Sequence, residues 1–501
     1  MEEYDFAVIG GGSGGLAAAK EAAALGAKTV LFDYVSPSPK GTKWGFGGTC
    51  VNVGCIPKKL FHFTGLTGEA IHDAITMGWE LGEPKFHHNW ATTVEKVTNY
   101  IRQLNFSYRT GLRSSKVTYF NAWASLNPEN PKQVIYTDSQ GQKKSISAKF
   151  VCIAVGGRPT YPDLPNAREL AITSDDIFYM KKAPGKTLVV GGGYIAMECA
   201  GFLTSLGYDT TLAVRSRPLR AFDAQAADKI VQVMTELGTN FRLGVNPVSL
   251  DSVGDKISVR FDDGSADIFD TVLLATGRTP ETKKLNIPGH DVLPSGKIPV
   301  DADMQLIHTP DVFAIGDAVE GRPELTPVAI KDGELLARRL FAGATKRLDH
   351  PELIPTTVFT PVEYGVVGFS EEEAVKKFGR DLIDSYLWEW QTLERAVVHR
   401  PKLERLRADV SDADQGPHNL CKLIIRKDTE LVLGFHFVGP NAGEVLQGFA
   451  VAMRLGMKKS DVDDTLGIHP TDAEALVNLT VTKSSGESYT ASGGCGGGRC
   501  G

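Results

Sequence analysis

Residues 4–33 read YDFAVIGGGSGGLAAAKEAAALGAKTVLFD, and the order of residue types in them decides the fold. Tyr4 to Ile9 is a short apolar run ending in Gly10, Gly12 and Gly15. Leu16 to Ala27 is alanine-rich and helix-forming, and Thr29 to Phe32 is a second apolar run ending in Asp33. Strand, glycine turn, helix, strand and acid in that order make a dinucleotide-binding unit. A glycine fingerprint alone marks only a tight turn; the context carries the reading. Gly10 permits the turn, Gly12 lets a pyrophosphate approach the backbone, and Gly15 lets the helix pack on the strand. Ser13 and Gly14 complete the loop, where the helix N-terminus offers unpaired N–H groups and partial positive charge to phosphates. Asp33 stands where an acceptor takes ribose hydroxyls.

The same order returns at Thr187 to Val190, followed by Gly191, Gly193 and Ala196, a helix through Leu206 and a strand at Thr211 to Val214. Two such units imply two dinucleotides. The second strand ends not in an acid but before Arg215, Arg217 and Arg220, whose planar charged forks suit a 2′-phosphate and so NADPH. A solvated basic loop is the plain alternative for these arginines. Between the two units, Val117 to Phe150 is polar and strand-like and closes on Val151 to Val155 before Gly156 and Gly157.

A chain of 501 residues suggests about three domains. The Pro-containing stretch Ile354 to Pro361 marks entry into the last of them. There Gly365 to Gly368 and Leu431 to Gly439 read as strands, and Gly443 to Leu455 and Pro470 to Leu479 as helices. From Ser484 the chain is Ser, Gly and Cys without apolar periodicity, the composition of a flexible tail. The expected division is 1–160 and 289–360 for the first nucleotide and its central continuation, 161–288 for the second, 361–485 for an interface domain, and 486–501 for the tail. The fold class is therefore α/β, with two Rossmann-like domains, an α+β domain and a tail.

With 42% hydrophobic and 23% charged residues and a net charge of −6, the chain reads as a soluble globular protein. It has no cationic surface broad enough to imply nucleic acid or an anionic membrane as partner. Met1 to Gly11 lacks the pattern of a secretory leader, and no apolar run approaches the ~20 residues of a membrane span. The cytoplasm is the expected location, with an organellar form left open.

The chain has seven cysteines, and Cys50 with Cys55 and Cys495 with Cys500 form close pairs. Zinc ligands usually sit two to four residues apart in sets of four, whereas each pair here has four intervening residues and no histidines nearby; no metal is expected. Residues 47–59 read GGTCVNVGCIPKK. On a continuous helix Cys50 and Cys55 would lie ~7.5 Å apart by rise, just beyond the ~7 Å limit of a disulfide, so Gly54 and Pro57 must distort the chain locally. A thiolate for redox exchange needs a helix N-terminus or a neighbouring cation, and Lys58 can supply the latter.

This stretch closely resembles the redox signature of the flavoprotein disulfide reductases, and the resemblance extends over nearly the whole chain. It implies a glutathione reductase-like fold binding FAD and NADPH. Residues 309–318, TPDVFAIGDA, resemble the family's second FAD motif, which gives Asp317 to the ribityl chain; by local sequence alone Asp317 is equally a turn residue. The resemblance also places Gly48, Thr49 and Gly156 at the FAD, and Gly277 at the NADPH with the second glycine loop. It sets Cys55 against the flavin, makes Cys50 the interchange thiol, and pairs Lys58 with Glu198 near flavin N5. Tyr194 matches the residue that covers the flavin face, and Arg215 and Arg220, in VRSRPLRAFD, match the 2′-phosphate ligands. His469 and Glu474 match an HPT…E signature in which the histidine serves the other subunit of a homodimer as acid and base.

Two regions resemble one branch, the large thioredoxin reductases. Residues 34–46, YVSPSPKGTKWGF, resemble an insert of that branch, and Lys20 and Glu21 stand where glutathione reductases carry arginines. The end, GCGGGRCG, resembles the tail of apicomplexan members, in which a second cysteine pair, here Cys495 and Cys500, relays electrons to thioredoxin. The expected activity is NADPH-dependent thioredoxin-disulfide reduction. Glutathione, dihydrolipoamide or mercuric reductase, and a non-catalytic redox sensor, are the alternatives.

Overall fold

A computed structural model describes residues 2–80, 87–398 and 416–490. The first unit forms β1 (Glu2–Ile9), α1 (Ser13–Ala24) and β2 (Thr29–Asp33), followed by α2 (Gly48–Val53), α3 (Cys55–Thr76) and α4 (Trp90–Ser114). The expected helix from Leu16 to Ala27 begins earlier and stops earlier, because Gly26 turns the chain at φ +91°. The polar stretch after it resolves into β3 (Thr118–Asn121), β4 (Ala124–Asn127), β5 (Asn130–Thr137) and β6 (Lys143–Ile153). These strands order as β3-β2-β1-β6-β5-β4. The parallel part runs through β1, whose Phe6, Ala7 and Val8 are fully buried between layers.

The second unit contributes β7 (Ile172–Thr173), β8 (Thr187–Val190), α5 (Tyr194–Ser205), β9 (Thr210–Val214), α6 (Ala224–Glu236) and β10 (Asn240–Leu243). An antiparallel sheet of β11 (Pro247–Val253), β12 (Lys256–Phe261) and β13 (Ala266–Phe269) then leads into β14 (Thr271–Leu274). The parallel order is β10-β9-β8-β14-β7. The chain then returns to the first sheet with β15 (Val312–Ala314), which pairs with the C-terminal half of β6, and α7 (Thr326–Ala342) packs on α1. Those two helices meet backbone to backbone, since a Cβ on Gly333 would stand 2.5 Å from the Gly14 carbonyl oxygen.

The last unit is a five-stranded antiparallel sheet, β16 (Thr356–Val358), β17 (Glu363–Gly368), β18 (Ile383–Trp390), β19 (Asn419–Arg426) and β20 (Val432–Gly439), in the order β16-β17-β20-β19-β18. Helices α8 (Glu371–Phe378) and α9 (Ala442–Arg454) accompany it. Pro470 to Leu479 is not the helix its spacing suggests: only Asp472–Ala475 makes a 3₁₀ turn. The apolar spacing is met by burying Ala475, from the end of that turn, and Leu476 and Leu479, from the irregular residues after it, in the core. Nor are residues 484–490 a free tail. Residues 481–490 run beside β18, with Leu387 N–H donating to Val481 O at 3.0 Å and Glu389 N–H to Tyr489 O at 2.8 Å. Cys495 and Cys500 lie outside the described residues. Among the described residues no helix is long and apolar enough to cross a membrane.

Candidate functional site

The first glycine loop leaves no room for side chains. Gly10 has φ +115°, and a Cβ there would fall 2.2 Å from the Ala154 carbonyl oxygen; one on Gly15 would fall 1.9 Å from the Gly10 carbonyl oxygen. Gly48, at φ +78°, presses on the same loop, its Cβ position 2.6 Å from Gly12 Cα. Helix α1 has no side-chain cap at Gly12, so the N–H groups of its first turn are free to meet a phosphate. Asp33 Oδ1 accepts the Gly11 N–H at 2.9 Å, which fixes the carboxylate at the end of β2. Burial pushes that carboxyl up to about 6 against the opposing Gly11 and Tyr34 N–H groups. Asp33 and Gly10 line a pocket with Tyr34, Trp123 and Val155. Asp317 lies in the turn Gly316–Ala318, its carboxyl likewise raised by burial, and Lys297 Nζ donates to its backbone oxygen at 2.6 Å. Thr49 Oγ1 receives Arg278 Nη2 at 3.3 Å, and Gly156 turns the chain at φ +60°. This cradle fits FAD: backbone pressed against backbone, an uncapped helix N-terminus and a half-buried carboxylate at each end.

At the cysteine pair, α2 stops at Val53 and α3 starts at Cys55. Gly54 makes the break with φ −138° and ψ −118°, and a Cβ there would lie 3.0 Å from the Thr49 carbonyl oxygen and 3.2 Å from Cys50 Cα. The break supplies the distortion that a continuous helix lacks. Both thiols are free. Cys55, at the first position of a 22-residue helix, is lowered to about 6. The hydrogen bond from Cys50 does most of this against the cost of burial; the Thr326 hydroxyl, 3.6 Å away, and the charge of Lys58 add to it. Cys50 is driven far above the thiol range by the same hydrogen bond and by burial. The surroundings thus favour the thiolate at Cys55, with Cys50 as its hydrogen-bond donor. Lys58, expected as the main cation, contributes less than Cys50 and Thr326. Lys58 Nζ sits 2.6 Å from Glu198 Oε1 and 4.3 Å from the centre of the Phe359 ring, and Glu198 also accepts the Phe359 N–H at 2.9 Å.

The second loop repeats the first. Gly191 has φ +139° with its Cβ position 2.3 Å from the Ala275 carbonyl oxygen, and Ala196 is fully buried. Gly193 leaves the start of α5 without a side-chain cap and with open space around it. Gly277, at φ +133°, also faces open space. Tyr194, 39% exposed, opens the helix that carries Glu198. Arg215 and Arg220 are exposed and, among the described residues, have no ion-pair partner. Arg217, for which the sequence suggested no role, has its Nε and Nη2 buried without a hydrogen-bond partner.

His469 Nδ1 and Glu474 Oε2 are 3.1 Å apart, and the imidazole is 55% exposed. They line a pocket with Trp388, Trp390 and Asp472 that contains neither Cys50 nor Cys55. Neighbouring Leu466 and Ile468 are 94% and 77% exposed. Cys152, Cys199 and Cys421 are buried with thiols raised far above the usual range, which makes them inert packing residues. Among the described residues no group of three potential ligands could hold a metal. Thr326, Phe359 and Arg278 went unread in the sequence. Each reaches the site from a distant part of the chain, Thr326 across 271 positions, and no local pattern announces such a contact.

The pyridine nucleotide-disulphide oxidoreductase family pattern matches residues 4–333, and that of the pyridine nucleotide-disulphide oxidoreductase dimerisation domain matches residues 354–480. A thioredoxin reductase of Plasmodium falciparum (isolate FCH-5) is 50% identical over 505 residues, covering 100% of this chain and 93% of the relative. A thioredoxin reductase of Emiliania huxleyi is 46% identical, covering 98% of each chain. The mitochondrial thioredoxin reductase 2 of Drosophila melanogaster is 43% identical, covering 98% of this chain and 94% of the relative.

Proposed function

Since the chain belongs to the pyridine nucleotide-disulphide oxidoreductase family, as a thioredoxin reductase using FAD and NADPH, we propose that it works as a homodimer passing electrons from Cys50–Cys55 to the partner's Cys495–Cys500 tail and then to thioredoxin. The cytoplasm is the proposed location.

FAD, held by the Gly10–Gly15 loop, Asp33 and Asp317, would supply the two-electron redox chemistry that links NADPH to the Cys50–Cys55 disulfide. The chain's own residues hold the products of that disulfide's cleavage. Cys55 carries the negative charge, stabilised by the Cys50 thiol, the Thr326 hydroxyl and the start of α3, and Cys50 keeps the proton. The Lys58–Glu198 pair, 14% and 3% exposed, anchors α3 to α5 and places a fixed cation beside the redox pair. Cys50 must lose its proton before it can attack a disulfide. The partner subunit's His469, oriented by Glu474, accepts it. Cys50 then bonds to one tail sulfur, and the other leaves and takes the proton back from the imidazolium. Attack by the Cys55 thiolate on Cys50 restores the Cys50–Cys55 disulfide and releases the second tail sulfur as a thiolate, so the tail is left as a thiol–thiolate pair that repeats the exchange on thioredoxin.

The observation that carries this reading is the break at Gly54, which leaves Cys50 on α2 and sets Cys55 at the start of α3 beside Thr326 and the Lys58–Glu198 pair, because that asymmetry favours the thiolate at one sulfur and leaves the other for exchange. The exposed Leu466 and Ile468 beside His469 support its service to a second subunit. The test is NADPH consumption with oxidised thioredoxin and glutathione disulfide in parallel. Turnover with thioredoxin alone supports the proposal. Turnover with glutathione disulfide alone would overturn the choice of substrate, and none with either would leave a redox sensor.

A further inference from the structure

Arg220 occupies a turn that is held at both ends by different parts of the molecule. On one side, Leu219, 1% exposed, donates its N–H to the Gly192 carbonyl at 2.7 Å and so ties the turn to the second glycine loop. Phe222 N–H closes the turn on Leu219 O at 2.8 Å. On the other side stands Asp223, fully buried. Its Oδ1 accepts the N–H groups of Gln225 and Ala226 at 3.1 and 3.2 Å, which is all that capping α6 requires.

The remaining bonds of Asp223 go to the interface domain. Oδ2 accepts the Glu371 N–H at 3.1 Å, and Lys422 Nζ reaches Oδ1 and Oδ2 at 3.1 and 2.9 Å. Lys422, on β19 and 1% exposed, also meets Glu371 Oε2 at 2.8 Å. Glu371 is held in turn by Arg380 at 2.8 Å and by Lys483 at 2.9 Å. The ring of Phe222 packs on Tyr364 of β17 at 5.7 Å. A buried ion pair contributes little more to stability than an apolar pair of the same volume, so this one is better explained by the geometry it enforces.

We propose that Asp223 and Lys422 are positioning residues for Arg220, so that the interface domain sets the enzyme's preference for the 2′-phosphate of NADPH. The proposal rests on the reading of Arg215 and Arg220 as phosphate ligands. Lys422 never touches the nucleotide; it holds one end of the turn, and the glycine loop holds the other.

The experiment measures, on the FAD-loaded dimer, calorimetric binding of adenosine 2′,5′-bisphosphate and the KM values for NADPH and NADH. Variants are Lys422→Met, Lys422→Arg, Asp223→Asn and, as a reference for the phosphate contact itself, Arg220→Ala. Asp223→Asn keeps the cap on α6 and removes the charge attraction, so it carries the test if Lys422→Met does not fold. Lys422→Met and Asp223→Asn should each weaken the bisphosphate and raise the NADPH KM by roughly tenfold, with the NADH KM unchanged, and Lys422→Arg should recover part of the loss. A normal NADPH-to-NADH preference in both folded variants, with a shifted preference in Arg220→Ala, would overturn the positioning role. An unshifted preference in Arg220→Ala would overturn the phosphate-ligand reading beneath it.

Discussion

Replacing Arg215 and Arg220 together with Ala tests cofactor choice without disturbing the fold. Both side chains are exposed and neither has an ion-pair partner among the described residues, so their removal strands no carboxylate there. A charge-assisted hydrogen bond is worth about 1.5–3 kcal/mol, and screening at an exposed site favours the lower end. Two such contacts amount to about 3 kcal/mol, or roughly 150-fold in kcat/KM for NADPH. NADH lacks the 2′-phosphate and should change by less than about twofold, and the melting temperature should hold. Rising salt should narrow the gap between wild type and variant, since it screens the same contacts. The assay is steady-state reduction with each nucleotide at several ionic strengths. Equal losses for both nucleotides would refute the assignment and return the loop to a solvated surface feature.

In the reduced, FAD-free protein iodoacetamide should alkylate the Cys55 thiolate above a pH of about 6 and lose that reactivity as pH falls through it, because the group is lowered from the ordinary thiol range. Thr326→Val removes one of the stabilising hydroxyl contacts and should move the midpoint upward; mass spectrometry of the modified site against pH reads the result, and an unmoved midpoint would remove Thr326 from the account. Lys58→Met leaves Glu198, 3% exposed, buried without its cation, and should cost about 3–5 kcal/mol in thermal or urea unfolding. A loss below about 1 kcal/mol would mean that the pair is not a buried anchor. His469→Ala should slow thiol exchange while NADPH still reduces the flavin in single turnover; collapse of flavin reduction would make the histidine structural.

What could be read in the sequence was what depends on near neighbours in the chain. The glycine loops follow from spacing, because Gly10 and Gly15 pack against each other within one strand-turn-helix unit. The Gly54 break between Cys50 and Cys55 follows from helix rise against disulfide reach. Where a contact joins distant segments, only a whole-family pattern could suggest it, as for Lys58 with Glu198, 140 positions apart. Thr326 beside Cys55 and Lys422 beside Asp223, separated by 271 and 199 positions, have no such signature and were not foreseen. Two misreadings came from treating composition as conformation. The apolar spacing of Pro470 to Leu479 suggested a helix, but the core takes those side chains from a 3₁₀ turn and the irregular residues after it. The polar composition after Ser484 suggested a free tail, yet Tyr489 packs beside β18 and its hydroxyl receives Gln225 Nε2 at 3.2 Å.

The relay through the C-terminal cysteines is the central claim, and truncation after Gly494 tests it most directly. The deletion removes Cys495 to Gly501 and leaves the segment that pairs with β18 in place. The measurement is thioredoxin turnover by the truncated enzyme beside its single-turnover reduction of the flavin and of Cys50–Cys55 by NADPH. The account predicts that both reductions persist at the full-length rate while thioredoxin turnover falls by about two orders of magnitude or more, because only the tail thiols can reach the protein substrate. Thioredoxin reduction by the truncated enzyme at close to the full-length rate would contradict the relay.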